Sequence, residues 1–259
     1  MNATAALSLV RPGPWDVWLR NATVWRRNWK TSLVGSVGEP LLYFLGLGIG
    51  LGTLIPSVGG LPYLHYVAPG LIFSSVMYSA TIESTYSTFT KMEHQKVYAS
   101  MILSPLTFSD IVLGEILWAM TKGLISGGTI LLLSLAAEIG TAWPGLLCVP
   151  LVLIAGLVFS ALGLIVTSLA RSYDSFNYYF TLFIAPMFFF SGIFFPVERL
   201  GPVVEKLSLL FPLTHFVRLS RALLTGTGGP VLPSALFVLF FAAVVLLFSG
   251  RLMERRFMP

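Results

Sequence analysis

Residues 178–224 read YYFTLFIAPMFFFSGIFFPVERLGPVVEKLSLLFPLTHFVRLSRALL, and the change of character inside this stretch decides the fold. Up to about Phe195 it is apolar and aromatic, long enough to cross a bilayer core that needs roughly 20 helical residues at about 1.5 Å each. From Val197 to Leu224 the chain mixes Glu198, Arg199, Glu205, Lys206, Arg218 and Arg221 into apolar turns, with Pro196, Pro202 and Pro212 as breakers. A segment of that kind cannot cross lipid as one simple helix, because its interrupted backbone would leave polar groups unpaired. It lies at the interface, or dips in and returns.

Composition extends this reading to the whole chain. Of 259 residues, 56% are hydrophobic and only 10% charged, with a mean hydropathy of +0.84, whereas a soluble domain carries about 25% charged residues. The class is an all-α integral membrane protein. The single Cys148 excludes an internal disulfide and a multi-thiolate metal site, and its apolar neighbours mark it as a packing residue. The apolar run Thr4–Val10 is too short for a secretory signal and leads into charged sequence, so the first membrane helix is expected to direct insertion itself.

Six spans are expected, at about Thr31–Leu54, Leu64–Thr88, Ser109–Ala137, Leu146–Leu169, Asn177–Phe195 and Leu232–Leu252. They divide the chain into a tail with an interfacial helix, residues 1–30, and a membrane domain, residues 31–259. In the interfacial helix, Trp15–Lys30, a stripe of Trp15, Trp18, Leu19, Ala22, Trp25 and Trp29 is set against Asp16, Arg20, Arg27 and Lys30, with Arg26 intruding and Val17 and Val24 opposite. Tryptophan with arginine suits a helix lying flat among headgroups, either as a plain anchor or packed against a cytoplasmic partner. Eleven of the sixteen Lys and Arg residues fall on one side: Arg11, Arg20, Arg26, Arg27, Lys30, Lys91, Lys96, Arg171, Arg251, Arg255 and Arg256. The short first and third loops carry none, so both termini are expected in the cytoplasm.

The sequence offers no catalytic machinery. It has no GxxxxGK[ST] loop to cradle a nucleotide, no HExxH and no GxSxG, and His65, His94 and His215 are far apart. No catalytic, cofactor-binding or metal-binding residue is assigned, and no nucleic-acid partner is implied. LISGGTI, residues 124–130, lies within an apolar span and supplies small residues for helix packing. What remains is a set of charges in or near the spans, Glu39, Glu83, Glu115 and Lys122, each expected to face protein or water. Glu115 and Lys122 share a face but stand about 10 Å apart along the axis, too far for a direct pair. Glu83 and Glu115 are expected level on neighbouring antiparallel helices, either bonding the helices together or lining a path or gate. Glu39, before Pro40 and the glycine run LGLGIGLG, marks a bend.

The second loop, Thr90–Phe108, carries a short amphipathic turn, Val97–Leu103, ended by Ser104-Pro105. Such a helix between two long spans is either an ordinary turn or a piece shaped for a partner's cleft. The fourth loop, Arg171–Phe176, offers a smaller contact of the same kind.

In order, the interfacial helix, KMEHQKVYASMILSPLTFSDIVLGEILW after the second span, SLARSYDSFNYY after the fourth, and FFFSGIFFPVERL followed by LFPLTH resemble the membrane subunits of ABC-2 type exporters. Within that family the strings ATIESTYSTF, SDIVLGEILWAMTK, SYDSFNYYFTLFIAPMFFFSG and FPLTH are most similar to the NodJ type of lipo-oligosaccharide permease. Leu200-Gly201-Pro202 departs from the family's usual Leu-Pro. The resemblance implies a bacterial inner-membrane, multi-pass permease subunit that is not itself an enzyme. By the same resemblance, two copies of a separate cytoplasmic ABC ATPase would bind ATP and Mg, and two copies of this chain would form the path. It implies that Val97, Tyr98, Met101, Ile102 and Leu103 form the principal coupling helix and that Arg171, Tyr173 and Asp174 form a secondary contact. Trp15, Trp18, Arg26 and Arg27 would belong to the connecting helix, and Pro196–Leu224 to external re-entrant helices. Glu83, Glu115, Lys122, Tyr178, Phe189, Phe194 and His215 are the candidate path or gate residues. The implied cargo is an amphipathic glycan or lipid substrate, moved amid membrane lipid. A drug or antibiotic exporter of the same architecture is the nearer alternative, and an integral membrane lipid-modifying enzyme the distant one.

Overall fold

The computed structural model of the protein describes residues 13–257. The expectations placed on Thr4–Val10, on Arg11 and on the rest of residues 1–12 lie outside the described residues. Helix α1 (Pro14–Arg27) starts cleanly: Gly13 N–H donates to the Asp16 carboxylate at 2.9 Å, Pro14 occupies the first turn, and Arg26 and Arg27 face the negative end of the dipole. It stops at Asn28, so the expected Trp15–Lys30 helix is divided, and Trp29 and Lys30 open the next one. That is α2 (Trp29–Tyr43), which passes through Pro40 and widens into a π-helical run, Phe44–Gly50, before a 3-10 turn, Leu51–Thr53. The irregularity falls on the glycines rather than on Pro40, because alternate glycines remove the side chains that stabilise the α-helical spiral.

A two-residue hairpin, Ser57–Val58 with Leu61–Pro62, turns the chain into α3 (Tyr63–Ile82). Fifteen of the 20 residues of α3 are buried, which makes it the central post of the bundle. Its path continues through π-helical turns at Glu83–Ser87 and Thr90–His94, beyond the expected end at Thr88. Lys91 therefore belongs to a helix and is buried. It is not a loop residue on the surface. A short helix, α4 (Val97–Ile102), follows. The long α5 (Phe108–Ala136) opens with a reciprocal cap in which Thr107 N–H donates to the Asp110 carboxylate at 2.8 Å.

Next comes α6 (Ala142–Leu169), then α7 (Asp174–Tyr179), which runs through a π-turn at Phe180–Ile184 into α8 (Ala185–Phe190). The expected fifth span reached Phe195, but helical structure stops at Phe190. Gly192, at φ +76°, unwinds the chain there. After a 3-10 turn at Val197–Leu200, α9 (Pro202–Ser208) and α10 (Pro212–Thr225) meet at a 91° bend, and α11 (Val231–Phe257) completes the bundle.

Among the described residues, four helical stretches are long and apolar enough to cross a membrane, Trp29–Thr53, Phe108–Ala136, Trp143–Leu169 and Val231–Arg256, and the bent pair α9–α10 would make a fifth if taken as one span. Of the six expected spans, the other two fall on α3, diluted by His65, Ser74, Ser75, Ser79 and Thr81, and on α7–α8, interrupted by its π-turn. Glycines set the close contacts of the core. A Cβ on Gly127 would lie 2.4 Å from Val76 Cγ2 and 3.0 Å from the Ile72 carbonyl, and one on Gly156 would lie 3.0 Å from Met120 Cα. Packing is thus the use of the LISGGTI glycine. Cys148 is fully buried, as expected.

Candidate functional site

The sequence elements of interest gather at one end of the bundle. There α1 rests on α5 by its Val17, which is 1% exposed and fills the space opposite Gly114; a Cβ on that glycine would come within 2.5 Å of Val17 Cβ. This corrects the expected stripe. The most buried residues of α1 are Val17 and Asn21, while Trp15, Leu19 and Trp29 are exposed. Trp18 and Trp25 hold the flanks, each edge-on to Trp118 at 6.4 and 6.3 Å, and Trp18 Nε1 donates to Thr121 at 2.9 Å. Arg26 and Arg27 are exposed, so α1 binds the bundle with a small residue and shows its cations to the surroundings.

Beneath α1 lies a buried charge cluster. Lys91 Nζ sits 2.5 Å from Glu115 Oε2 and 3.5 Å from Glu83 Oε1, joining α5 to the π-turn that extends α3. Side-chain exposures of 8%, 3% and 14% for Lys91, Glu115 and Glu83 leave the cluster largely buried, with Glu83 as its most exposed member. Glu83 and Glu115 are level, as expected; the lysine that ties them is the member the sequence reading missed. Lys122 stands apart, donating to Ser36 of α2 at 2.9 Å, in keeping with the expected separation from Glu115.

Helix α4 is anchored to this cluster by Tyr98. That side chain is 0% exposed. Burial, and next the neighbouring Glu115 carboxylate, push its hydroxyl pKa well above the ordinary phenol range. Tyr98 therefore faces inward and cannot be a contact for a partner, which corrects its assignment to a docking surface. The outward face of α4 is carried by Ile102, 45% exposed, and Leu103, 90% exposed, with Val97 and Met101 half-buried at its edge.

The α6–α7 turn lies alongside. Arg171 and Asp174 are exposed. Tyr173 stacks on His94 at 5.5 Å and shares a 2.8 Å hydrogen bond with Thr90. Arg256 of α11 closes the same end. Its guanidinium donates to the carbonyls of Thr167, Ser168 and Ala170, where α6 ends, and to Glu93 at 2.8 Å. The Arg256 hydrogen bond holds the Glu93 carboxyl below its usual pKa. A cation on the last carbonyls of one helix and a carboxylate of another is a three-way tie that no spacing rule would reveal.

The remaining path or gate candidates do not form one site with Glu83, Glu115 and Lys122. Tyr178 and Phe189 are 69% and 52% exposed on the outside of the bundle. Phe194 packs on Phe188 at 5.1 Å. His215 stacks on Phe237 at 4.0 Å and its Nε2 donates to the Leu209 carbonyl at 2.9 Å, a structural role at the α9–α10 corner.

The opposite end holds a second unforeseen cation. Arg221 of α10 is buried, donates to the carbonyls of Tyr66 at 3.0 Å and Gly192 at 2.8 Å, and lies 3.9 Å over the Tyr66 ring. An arginine on the apolar face of an amphipathic helix, with Ser220 beside it, was the available sign.

The ABC-2 type transporter family matches residues 15–225 of the chain. Nodulation protein J of Sinorhizobium fredii (strain NBRC 101917 / NGR234) is 40% identical over 249 residues, which covers 94% of each chain. Nodulation protein J of Rhizobium leguminosarum bv. trifolii is 42% identical over 212 residues, 81% of this chain and 80% of the relative. The inner membrane transport permease YadH of Escherichia coli (strain K12) is 24% identical over 202 residues, covering 78% of each.

Proposed function

The chain belongs to the ABC-2 type transporter family, and from that premise we propose that it is the permease subunit of an ATP-driven exporter of an amphipathic glycan, crossing the bacterial inner membrane six times with both termini in the cytoplasm. The ATP-hydrolysing partner is a separate ABC ATPase in two copies, which supplies the nucleotide and Mg site, and a second copy of this chain completes the path. The observation that carries the reading is the assembly of α1, α4, the α6–α7 turn and the end of α11 on one end of the bundle, over the Lys91 cluster. There, a short helix is held rigidly by buried Tyr98 and turns Ile102 and Leu103 outward. Large apolar side chains exposed on a fixed helix suit a partner's cleft better than water.

Glycan cargo is favoured over a drug by the resemblance of the strings quoted above to lipo-oligosaccharide permeases, alongside 40% and 42% identity to relatives named nodulation protein J against the 24% of the general transport permease. Co-expression with a candidate ABC ATPase from the same genome, reconstitution in vesicles and ATP-dependent uptake of an acylated oligosaccharide into inverted vesicles is the test. Stable co-purification and uptake are expected. A chain that binds no ATPase, or that chemically alters the lipid without one, refutes the proposal in favour of a membrane enzyme; transport of cationic dyes but of no glycan refutes the cargo.

A further inference from the structure

Between α2, α3, α5 and Phe188 of α8 the structure forms a half-open cavity of about 280 Å³, close to the roughly 300 Å³ at the small end of ligand sites. It has room for one ring and its substituents rather than for a chain of them. Serine hydroxyls dominate its polar wall. Ser74 and Ser75 donate to the Leu71 carbonyl at 3.1 and 2.7 Å, and Ser126 donates to the Ser36 carbonyl at 2.8 Å. The Ser36 hydroxyl accepts from Lys122. Each oxygen that donates in this way keeps lone pairs free to accept, and the Ser79 hydroxyl meets no protein partner. The wall thus asks for a ligand rich in hydroxyl or amide donors.

The apolar wall is an aromatic corner. Phe188 stands 5.5 Å from Tyr78 and 5.9 Å from Tyr43 by ring centroids, a surface for the C–H face of a sugar ring. Charge narrows the choice further. Glu39 and Glu83 face the cavity with Lys122 as the cation among the lining residues. The adjoining Lys91 is already engaged by Glu83 and Glu115. Counted over the chamber lining alone, Glu39 and Glu83 outnumber Lys122 by one, so the lining is net negative and disfavours phosphate, while Arg20 and Lys91 stand on the approach under α1.

A second cavity of about 360 Å³ under α1 shares Ser32, Glu83 and Lys122 with the first, so a polar way leads in from the α1 end. The lid of the chamber is α2, only 12% buried along its span, with Val34 and Leu42 turned outward. A ring can occupy the chamber while its acyl tail stays on the outer face of α2.

We propose that this chamber within a single protomer binds the lipid-proximal sugar of the exported glycan, and selects cargo whose sugar is neutral or cationic and joined to its lipid without an intervening phosphate. The assignment rests on the exporter reading above. The probe is dodecyl maltoside bearing a diazirine on the sugar next to the alkyl chain, photolysed with the permease–ATPase complex in lipid nanodiscs, followed by peptide analysis. Labels are expected on residues 32–43 and 74–83, displaced by plain dodecyl maltoside and at least about tenfold less well by an analogue with phosphate between alkyl chain and sugar.

Ser79→Phe removes a hydroxyl that no protein group uses and fills the chamber. It should lower labelling about tenfold, and Ser32→Phe, from the opposite wall, should do the same. Glu39→Lys should let the phosphorylated analogue compete. Labelling confined to the outer faces of the helices, labelling undiminished in both filled variants, or equal competition by the phosphorylated analogue in the wild type overturns the chamber. Failure of ATP-dependent glycan uptake with chamber labelling intact refutes the cargo of the exporter and leaves the binding site standing.

Discussion

Replacing Lys91 by methionine removes the cation from a buried cluster and leaves Glu83 and Glu115 facing one another. At the effective dielectric of about 20 that suits protein sites, the 2.5 Å contact to Glu115 and the 3.5 Å contact to Glu83 correspond to attractions of about 7 and about 5 kcal/mol before desolvation is charged against them. Both carboxylate oxygens lie within reach of one ammonium and so are no more than about 6 Å apart, which leaves a repulsion of about 3 kcal/mol once the lysine is gone. Removing one partner from a buried ion cluster costs about 3 to 5 kcal/mol in practice. At roughly 2 °C or more per kcal/mol for a chain of this size, the melting temperature should fall by on the order of 10 °C.

The chain carries its own reporter of unfolding. Cys148 is its single cysteine and is fully buried, so a thiol-reactive fluorophore signals its exposure on heating. The double variant Lys91→Met/Glu115→Gln removes one cation and one anion together and should regain more than half of the loss. A single variant that melts within about 2 °C of the wild type, or a double variant no better than the single, would refute the claim that this lysine neutralises the pair.

Three further outcomes follow from the same end of the molecule and from its topology. Leu103→Asp, at a residue 90% exposed, should change stability by less than about 0.5 kcal/mol yet abolish ATPase co-purification, whereas Tyr98→Asp should unfold the α4 anchor; retained ATPase binding by Leu103→Asp counts against docking there. Because the folded-state pKa of Glu93 is depressed by Arg256, the stabilisation it brings is present above the ordinary carboxylate value of about 4.3 and is lost as pH falls through the depressed folded value. The melting difference between wild type and Arg256→Met should therefore be larger at pH 7 than in acid, where only the guanidinium's bonds to the carbonyls of Thr167, Ser168 and Ala170 remain, and a pH-independent difference would contradict the ion pair. A Lys206→Cys substitution in a Cys148→Ser background should react with a membrane-impermeant maleimide in whole cells, while His94→Cys should react only after permeabilisation; the reverse pattern would invert the proposed orientation.

Much of the bundle was legible because its signals are local. The apolar runs of α5, α6 and α11 announce themselves by length, and Thr107 with Asp110 marks where α5 begins. The ionic core was not legible in full, since it depends on backbone geometry that periodicity assumes away. In a regular α-helix, eight residues place Lys91 about 80° round the axis from Glu83, and it is the wider π-turns at Glu83–Ser87 and Thr90–His94 that bring the lysine back. The face of α1 was misjudged for a related reason. Its stripe of large indoles outweighs one valine in any hydrophobic pattern, but Gly114 opposite leaves a notch that only a small β-branched side chain fits. Tyr98 was assigned outward because amphipathicity shows that a helix has two faces without saying which neighbour takes which. Arg221 and Arg256 act on backbone carbonyls, and a carbonyl has no letter in the sequence.

Arg221 also bears on how the far end can move. One planar guanidinium, through its Nη2, grips the carbonyl at which α8 unravels and another in the first turn of α3, while stacking on Tyr66; a lysine ammonium could reach the carbonyls but has no flat face to lay over the ring. Two elements pinned to α10 through a single guanidinium nitrogen shift together. That end of the bundle should then move as one plate on a pivot, and Arg221→Lys, which gives up the flat stack on Tyr66, would loosen the rivet.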